Sequence, residues 1–310
     1  MACFQPEPAT PCFISGLRTL TATDHGPLTT DHKVGCLYVV ATPIGTLGDL
    51  SPRAREVLGA VETILAEDTR HVRKLLNHFM ISTATRALHE HNEEREVVGL
   101  VERLAGGARM ALVSDAGTPL LADPGFRLVR GCRAAGVPVL SVPGPSAVTA
   151  ALAVAGLPPY PFTFAGFLPA AAGARKRALA ELAPLRHTLV LFLSPHRLAV
   201  ELDACREVLG GEREAALLTE LSKLHERWRG GTLAALADAA AELDTRGEHV
   251  LVVAGAAPAP AAAATAVGAR AALDAALATG LALADARREA ARALGISRRE
   301  LYALLARPER

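Results

Sequence analysis

Two apolar runs, each delivered into a loop of small, polar and proline residues, carry the groups best placed to do chemistry in this 310-residue sequence. Leu112 and Val113 lead into Ser114, Asp115, Ala116, Gly117, Thr118 and Pro119, and Val137, Val139, Leu140 and Val142 lead into Pro143, Gly144, Pro145 and Ser146. Small side chains let a ligand reach the backbone, and a strand end that opens a helix presents unpaired N–H groups. The two loops lie roughly 25 to 30 residues apart, the separation of successive strands in βαβ units. Together they read as a ligand cradle at the carboxyl edge of a parallel sheet.

Other strand-end loops hold further candidates: TPIGTLGD, AEDTR, HEHNE, SPHR and TELSK. Glu67 and Asp68 are adjacent carboxylates that can bind a ribose or a cation, although Asp68 can equally cap the next helix. His89 and His91 stand with Asn92 and Glu93, but no second cluster matches them, so hydrogen bonding is favoured over metal and no metal is expected. The sequence has no P-loop, no strand-linked GxGxxG, no HExxH and no GxSxG. Those absences argue against P-loop NTPases, simple NAD Rossmann enzymes, zincins and typical α/β hydrolases.

The elements that must position these residues follow one rhythm. LYVVA from Leu37 reads as a buried strand, Ser51 as an N-cap with Pro52 in the first helical position, and Ala54, Val57, Leu58 and Val61 recur at helical spacing. TILA is a second strand, Val97, Leu100, Val101 and Leu104 share a helix face that ends at Gly106, and Asp123 with Pro124 repeats the cap-then-proline start of a helix ended by Gly136. Strand and helix keep alternating, which predicts an α/β protein with largely parallel sheets. FTFAGF, HTLVLFLS, EAALLTEL and EHVLVVAG read as strands of a second unit, with helices around 173–185, 196–209 and 232–245 between them. The expected organisation is a disordered leader over 1–33, α/β domains over 34–150 and 151–256, a low-complexity linker over 257–267, and a tail over 268–310. In that tail one helix runs to about Leu294, Gly295 turns the chain, and Ser297 caps a second helix. This helix-turn-helix pattern puts Arg298 and Arg299 where a recognition helix meets nucleic acid, while a plain αα-hairpin is the competing reading.

Composition sets limits on partners and compartment. A hydrophobic content of 50% supports ordinary cores, and a net charge of +1 leaves nucleic-acid contact to local arginine clusters. Five scattered cysteines without CxxC spacing indicate neither a disulfide framework nor a zinc site. With no long apolar span and no basic-then-apolar N-terminus, the expected location is cytoplasmic.

TPIGTLGDLSPRA, AEDTR, ALHEHNE, SDAGTPLLADPG, VPGPSA, FAGFLP, SPHRL, TELSKLHERWRGG and GEHVLVVAG resemble, in order and spacing, the ribosomal RNA small subunit methyltransferase I family of the tetrapyrrole methylase superfamily. The resemblance covers about residues 36–256 and extends to that family's helical C-terminal extension. It implies two α/β domains with S-adenosylmethionine folded into the cleft between them, usually in a homodimer. The implied reaction methylates the ribose 2′-oxygen of a cytidine in the decoding region of 16S ribosomal RNA, free or in the 30S subunit. Carried over by motif, the cofactor residues are Pro43, Ile44, Gly45, Ser114, Asp115, Ala116, Gly117, Thr118, Pro143, Gly144 and Ser146. The chain departs from the family at Thr46, where Asn is common, and at Leu193, since an aromatic or acidic pair often stands before the HR of SPHR where this chain has Phe192, Leu193 and Ser194. A ribose hydroxyl needs in-line placement and help in losing its proton. Asp68, Glu67, His89 and Glu220 are the candidate bases, with Lys223 and Arg70 as phosphate or transition-state partners and Arg197 steering RNA backbone. A tetrapyrrole C-methyltransferase and a non-catalytic nucleic-acid-binding regulator are the alternatives, the first sharing the fold and the second resting on the tail.

Overall fold

The computed structural model describes residues 35–242, 246–257 and 266–306. The expected leader, most of the expected linker and the last four residues of the tail lie outside the described residues. β1 (Cys36–Val40), β2 (Thr63–Ala66), β3 (Ala84–Ala87), β4 (Arg109–Val113) and β5 (Val139–Val142) form a parallel sheet in the order β3-β2-β4-β1-β5. Its central strands are apolar on both faces, as strands sandwiched between helices must be. On one face α1 (Pro52–Ala60) and α2 (Thr69–His78) bury Val57, Leu58, Val72 and Leu76 against Val40, Ile64 and Val113. On the other, α3 (Glu90–Ala105) and α4 (Phe126–Ala134) bury Leu100, Leu104, Leu128 and Cys132 against Leu37, Leu65 and Met110. Ser51 caps α1 as its sequence predicts, accepting from the Ala54 N–H at 3.0 Å.

α5 (Ala147–Val154) leads into the second sheet: β6 (Phe162–Phe167), β7 (Thr188–Leu193), β8 (Glu214–Thr219), β9 (Arg227–Thr232) and β10 (His249–Val253). The order is β6-β7-β10-β8-β9, and only β6 and β7 pair in parallel. The expectation of largely parallel sheets therefore fails here. α6 (Ala172–Leu182) and α7 (Leu198–Leu209) are crossovers that make β6, β7 and β8 run in one direction. β9 then returns from β8 as a hairpin, and β10, after α8 (Leu233–Asp238), inserts antiparallel between β7 and β8. Strand-helix alternation fixes direction across each crossover but not the slot a later strand takes.

One face of this sheet packs on α6, α7 and α8. The other packs on Val148, Ala151 and Leu152 of α5 and on Ile44 from the loop after β1. α5 follows the first sheet in the chain yet has its apolar face on the second, so the two sheets are joined through a shared core. The tail is a three-helix unit of α9 (Ala266–Ala278), α10 (Leu283–Ala293) and α11 (Arg298–Leu305), packed through Ala269, Ala290, Ala291 and Leu301. Ser297 and Glu300 form a capping box at the start of α11, and Gly295 turns the chain at φ +64°. Among the described residues no helix is long and apolar enough to cross a membrane.

Candidate active site

The strand order explains why loops far apart in sequence meet. β4, β1 and β5 are neighbours, so the loops at their carboxyl ends emerge side by side. Thr42, after β1, exchanges backbone hydrogen bonds with Gly117 at 2.9 and 3.1 Å, and its buried hydroxyl donates to the Ser114 carbonyl at 3.3 Å. Thr118 Oγ1 donates to the Pro145 carbonyl at 3.0 Å and ties the second loop to the third. Gly117 takes φ +81°, where an L side chain is strained, and a Cβ there would lie 3.2 Å from Ile44 Cγ2.

Beside these loops is a cavity of about 290 Å³. The first half of the chain contributes Ile44, Asp115 to Thr118, Leu121, Ala122 and Asp123, and the first turn of α5 contributes Ser146, Ala147 and Val148. The second sheet closes it with Phe167, Phe192, Val250 and the polar Glu248 and His249. Phe192 meets Phe164 and Phe167 with ring centroids 4.9 and 5.3 Å away, giving the wall a fixed aromatic surface. No side chain caps the first turn of α5, which leaves its leading amides facing the cavity side.

Asp123 is the unusual group. Burial, reinforced by the neighbouring Glu67 charge and opposed by a hydrogen bond with Ser114, pushes its carboxyl up to about 7, with Asp115 adding to the rise. Burial, and then the Asp115 charge, raise Glu67 as well. The chain reaches this arrangement through Leu120 and Ala122, both left-handed at φ +76° and +71°. Such strain persists only where surrounding structure enforces it. The expectation that Asp123 caps α4 is consequently wrong: the N-cap is Gly125, at φ +119°, with its α-hydrogen side against Leu112. Asp123 is the site residue that the sequence reading missed, together with Phe167, Phe192, Glu248 and His249 from strands read only as structure.

The other expected residues divide clearly. Ile44, Asp115, Ala116, Gly117, Thr118 and Ser146 line the cavity, while Pro43, Gly45, Ser114, Pro143 and Gly144 do not. Gly45 and Gly144 allow close chain packing, since a Cβ would meet the Ser222 backbone at 2.6 Å or the Ala41 Cβ at 3.1 Å. Of the candidate bases, Glu67, Asp68, His89 and Glu220 are outside the cavity wall, as is Lys223. Asp68 is the N-cap of α2 and is held by Arg70 Nη2 at 2.9 Å, an exposed pair that draws its carboxyl down to about 2. Its Arg70 partner is mostly exposed. His89 caps α3, with its backbone N–H donating to Asn92 Oδ1 at 2.8 Å. HEHNE thus opens a helix and is not a free loop, and among the described residues no cluster could hold a metal ion.

Glu220 and Lys223 pair at 2.8 Å, and Glu220 also accepts the Glu248 N–H at 2.9 Å. This clamp braces the cavity rim from behind. Gly247 is required beside it because a Cβ would sit 2.4 Å from Glu220 Oε1. The same turn binds the first half of the chain: Thr46 Oγ1 donates to the Ser222 carbonyl at 2.6 Å, and Ser222 Oγ donates to Asp49 at 2.7 Å. Thr46 therefore joins the two sheets. Leu193 packs in the apolar core beneath α7 and also lines the cavity, and the nearby Glu201 is fully buried away from it. Glu201 accepts the Ser194 N–H at 2.8 Å and Arg197 Nε at 2.9 Å. Arg197, 29% exposed, is thereby tied through Nε to this buried carboxylate, which restricts the freedom expected of it in steering RNA. Arg298 and Arg299 are exposed in the first turn of α11.

Comparison with known proteins agrees with this architecture. The tetrapyrrole (corrin/porphyrin) methylases, as a family, match residues 36–237. The chain superposes on a uroporphyrin-III C-methyltransferase from Thermus thermophilus with a TM-score of 0.51 at 23% identity, covering 71% of this chain and 94% of the other. It superposes on the methyltransferase CobJ with a TM-score of 0.55 at 20% identity, covering 72% and 95%. Those likenesses concern the fold. In sequence it is 52% identical over 221 residues to ribosomal RNA small subunit methyltransferase I of Vibrio cholerae, covering 71% of this chain and 77% of that protein. To the Synechocystis protein of the same name it is 42% identical over 271 residues, covering 87% and 97%. The chain belongs to the tetrapyrrole methylases and, within them, to the ribosomal RNA small subunit methyltransferase I family.

Proposed function

We propose that the protein transfers the methyl group of S-adenosylmethionine to the ribose 2′-hydroxyl of a cytidine in the decoding region of 16S ribosomal RNA, working in the cytoplasm as a homodimer. The cavity between the sheets carries the reading, because its chemistry suits that cofactor. Asp115, Asp123 and Glu248 favour a cation, Ile44, Val148, Phe192 and Val250 favour a flat aromatic group, and the uncapped amides of α5 favour a carboxylate. Asp115, Ala116, Gly117, Thr118, Ile44 and Ser146 would hold the cofactor, and Pro43, Gly45, Ser114, Pro143 and Gly144 would shape the loops that do so. When bound, the cofactor supplies a methyl group activated by a positively charged sulfur. The names of the relatives supply the acceptor class, small-subunit ribosomal RNA.

Asp123 is the proton acceptor in this reading. A carboxyl near 7 is matched to general-base work at neutral pH. The ribose oxygen becomes a competent nucleophile as its proton passes to the Asp123 carboxylate. Ser114 orients that carboxylate, and Glu67 tunes it from behind. Glu220 and Lys223 brace the rim, and Arg70, Arg298 and Arg299 contribute to holding RNA. Transfer of a tritiated methyl group to 30S particles, free 16S RNA and a porphyrinogen tests the reading. Label confined to the RNA acceptors is expected; label in the porphyrinogen alone, or in none, refutes it.

A further inference from the structure

A row of directly paired residues crosses the second sheet from the cavity to its open edge. Phe167 stands beside Phe192, Phe192 beside Val250, Val250 beside Leu218, and Leu218 beside Trp228. Residues paired in this way project from one face. Phe167, Phe192 and Val250 line the cavity, and Leu218 is buried in the core shared with Ile44 and Val148. The row ends on β9, where Trp228 is 55% exposed. Two strand spacings put it about 10 Å from Val250. A nucleotide whose ribose enters the cavity can lay its own base or a neighbour's on the indole.

The ring is held for such a role. A Cβ on Gly230 would lie 2.4 Å from the indole, so the ring rests across that glycine and turns its other side outward. Arg227 and Arg229 flank it on the same strand, both exposed and without an ion pair among the described residues. Their side chains leave the opposite face of the edge strand, within reach of a nucleic-acid backbone that crosses that edge. An aromatic platform between cations is the chemistry that holds single-stranded nucleic acid. A second copy of this chain fits less well, because edge-to-edge pairing about a twofold axis would bring arginines together on a glycine-bearing strand.

We propose that Trp228 is a base-stacking platform for the RNA substrate on the sheet edge two strands from the cavity, with Arg227 and Arg229 engaging flanking phosphates. The proposal rests on the RNA-methylating reading. Trp228 is the sole tryptophan of the sequence, so its fluorescence reports the site directly. Titration of the full chain with a short single-stranded oligoribonucleotide, and with free 16S RNA, is expected to quench the emission saturably. Trp228→Ala should weaken affinity for both RNAs by about 5- to 100-fold. It should leave S-adenosylmethionine affinity and the molecular mass in solution unchanged. Trp228→Phe should keep most of the RNA affinity, which a purely structural loss would not allow. Unquenched emission while fluorescently labelled RNA binds, unchanged affinity in the alanine variant, or halving of its mass would overturn the proposal. If the wild-type protein methylates 16S RNA without quenching, the stacking role alone fails; if it methylates no RNA, the reading beneath it fails too.

Discussion

Asp123→Asn separates the cost of a buried carboxylate from its use. The carboxyl titrates at about 7 in place of 3.8. A rise of that size corresponds to about 4 kcal/mol, and partial contact with solvent reduces this to roughly 2 kcal/mol. Because the folded-state value is raised, the fold carries no penalty below pH 3.8, where the group is neutral whether folded or not. The penalty grows as pH rises from there and is complete above about 7. Asparagine cannot ionise and escapes it. The variant should therefore match the parent in thermal denaturation near pH 4 and exceed it by about 4 to 8 °C near pH 8. At pH 8 it should also transfer methyl groups at least about 100-fold more slowly, while still binding S-adenosylmethionine. An equal Tm difference at both pH values would refute the assignment of the raised pKa, and undiminished transfer would refute the base.

Gly117→Val should lower S-adenosylmethionine affinity at least about tenfold by calorimetry, because the left-handed backbone and the Ile44 methyl leave no room for a branched side chain. Glu201→Ala strands the buried Ser194 N–H and unpairs the partly exposed Arg197 guanidinium, and urea denaturation should register a loss of about 2 to 4 kcal/mol. Ending the chain after residue 257 should spare cofactor affinity and weaken RNA binding. Arg298→Ala with Arg299→Ala should lower the slope of log K against log salt by about 2 if both meet phosphates; an unchanged slope would make the tail a plain helical appendage.

The loops that form the first-sheet wall of the cavity were legible because their chemistry is local: small residues, prolines and strand ends announce themselves within a few positions. Caps were legible for the same reason at Ser51 and Ser297. Asp123 was misread because Asp-Pro is a good helix start, and only the left-handed Leu120 and Ala122, which no propensity signals, turn it into the cavity. β9 escaped notice since RWRGGT has no buried side and thus no alternation to read. β10 read correctly as a strand, but its insertion between β7 and β8 is a choice made by packing. The Glu201 pair with Arg197 shows the same limit. Spacing of four on a helix permits contact, yet nothing local says that Glu201 will be fully buried and spent on Ser194.

The most direct measurement is nucleoside mass spectrometry of 16S RNA after incubation, as free RNA and in 30S particles lacking the modification, with purified protein and S-adenosylmethionine. The proposed chemistry yields 2′-O-methylcytidine at a single decoding-region position, in amounts that rise with pH through about 7 and collapse in Asp123→Asn. A methyl group found only on a base, or the same yield from the asparagine variant, would contradict it.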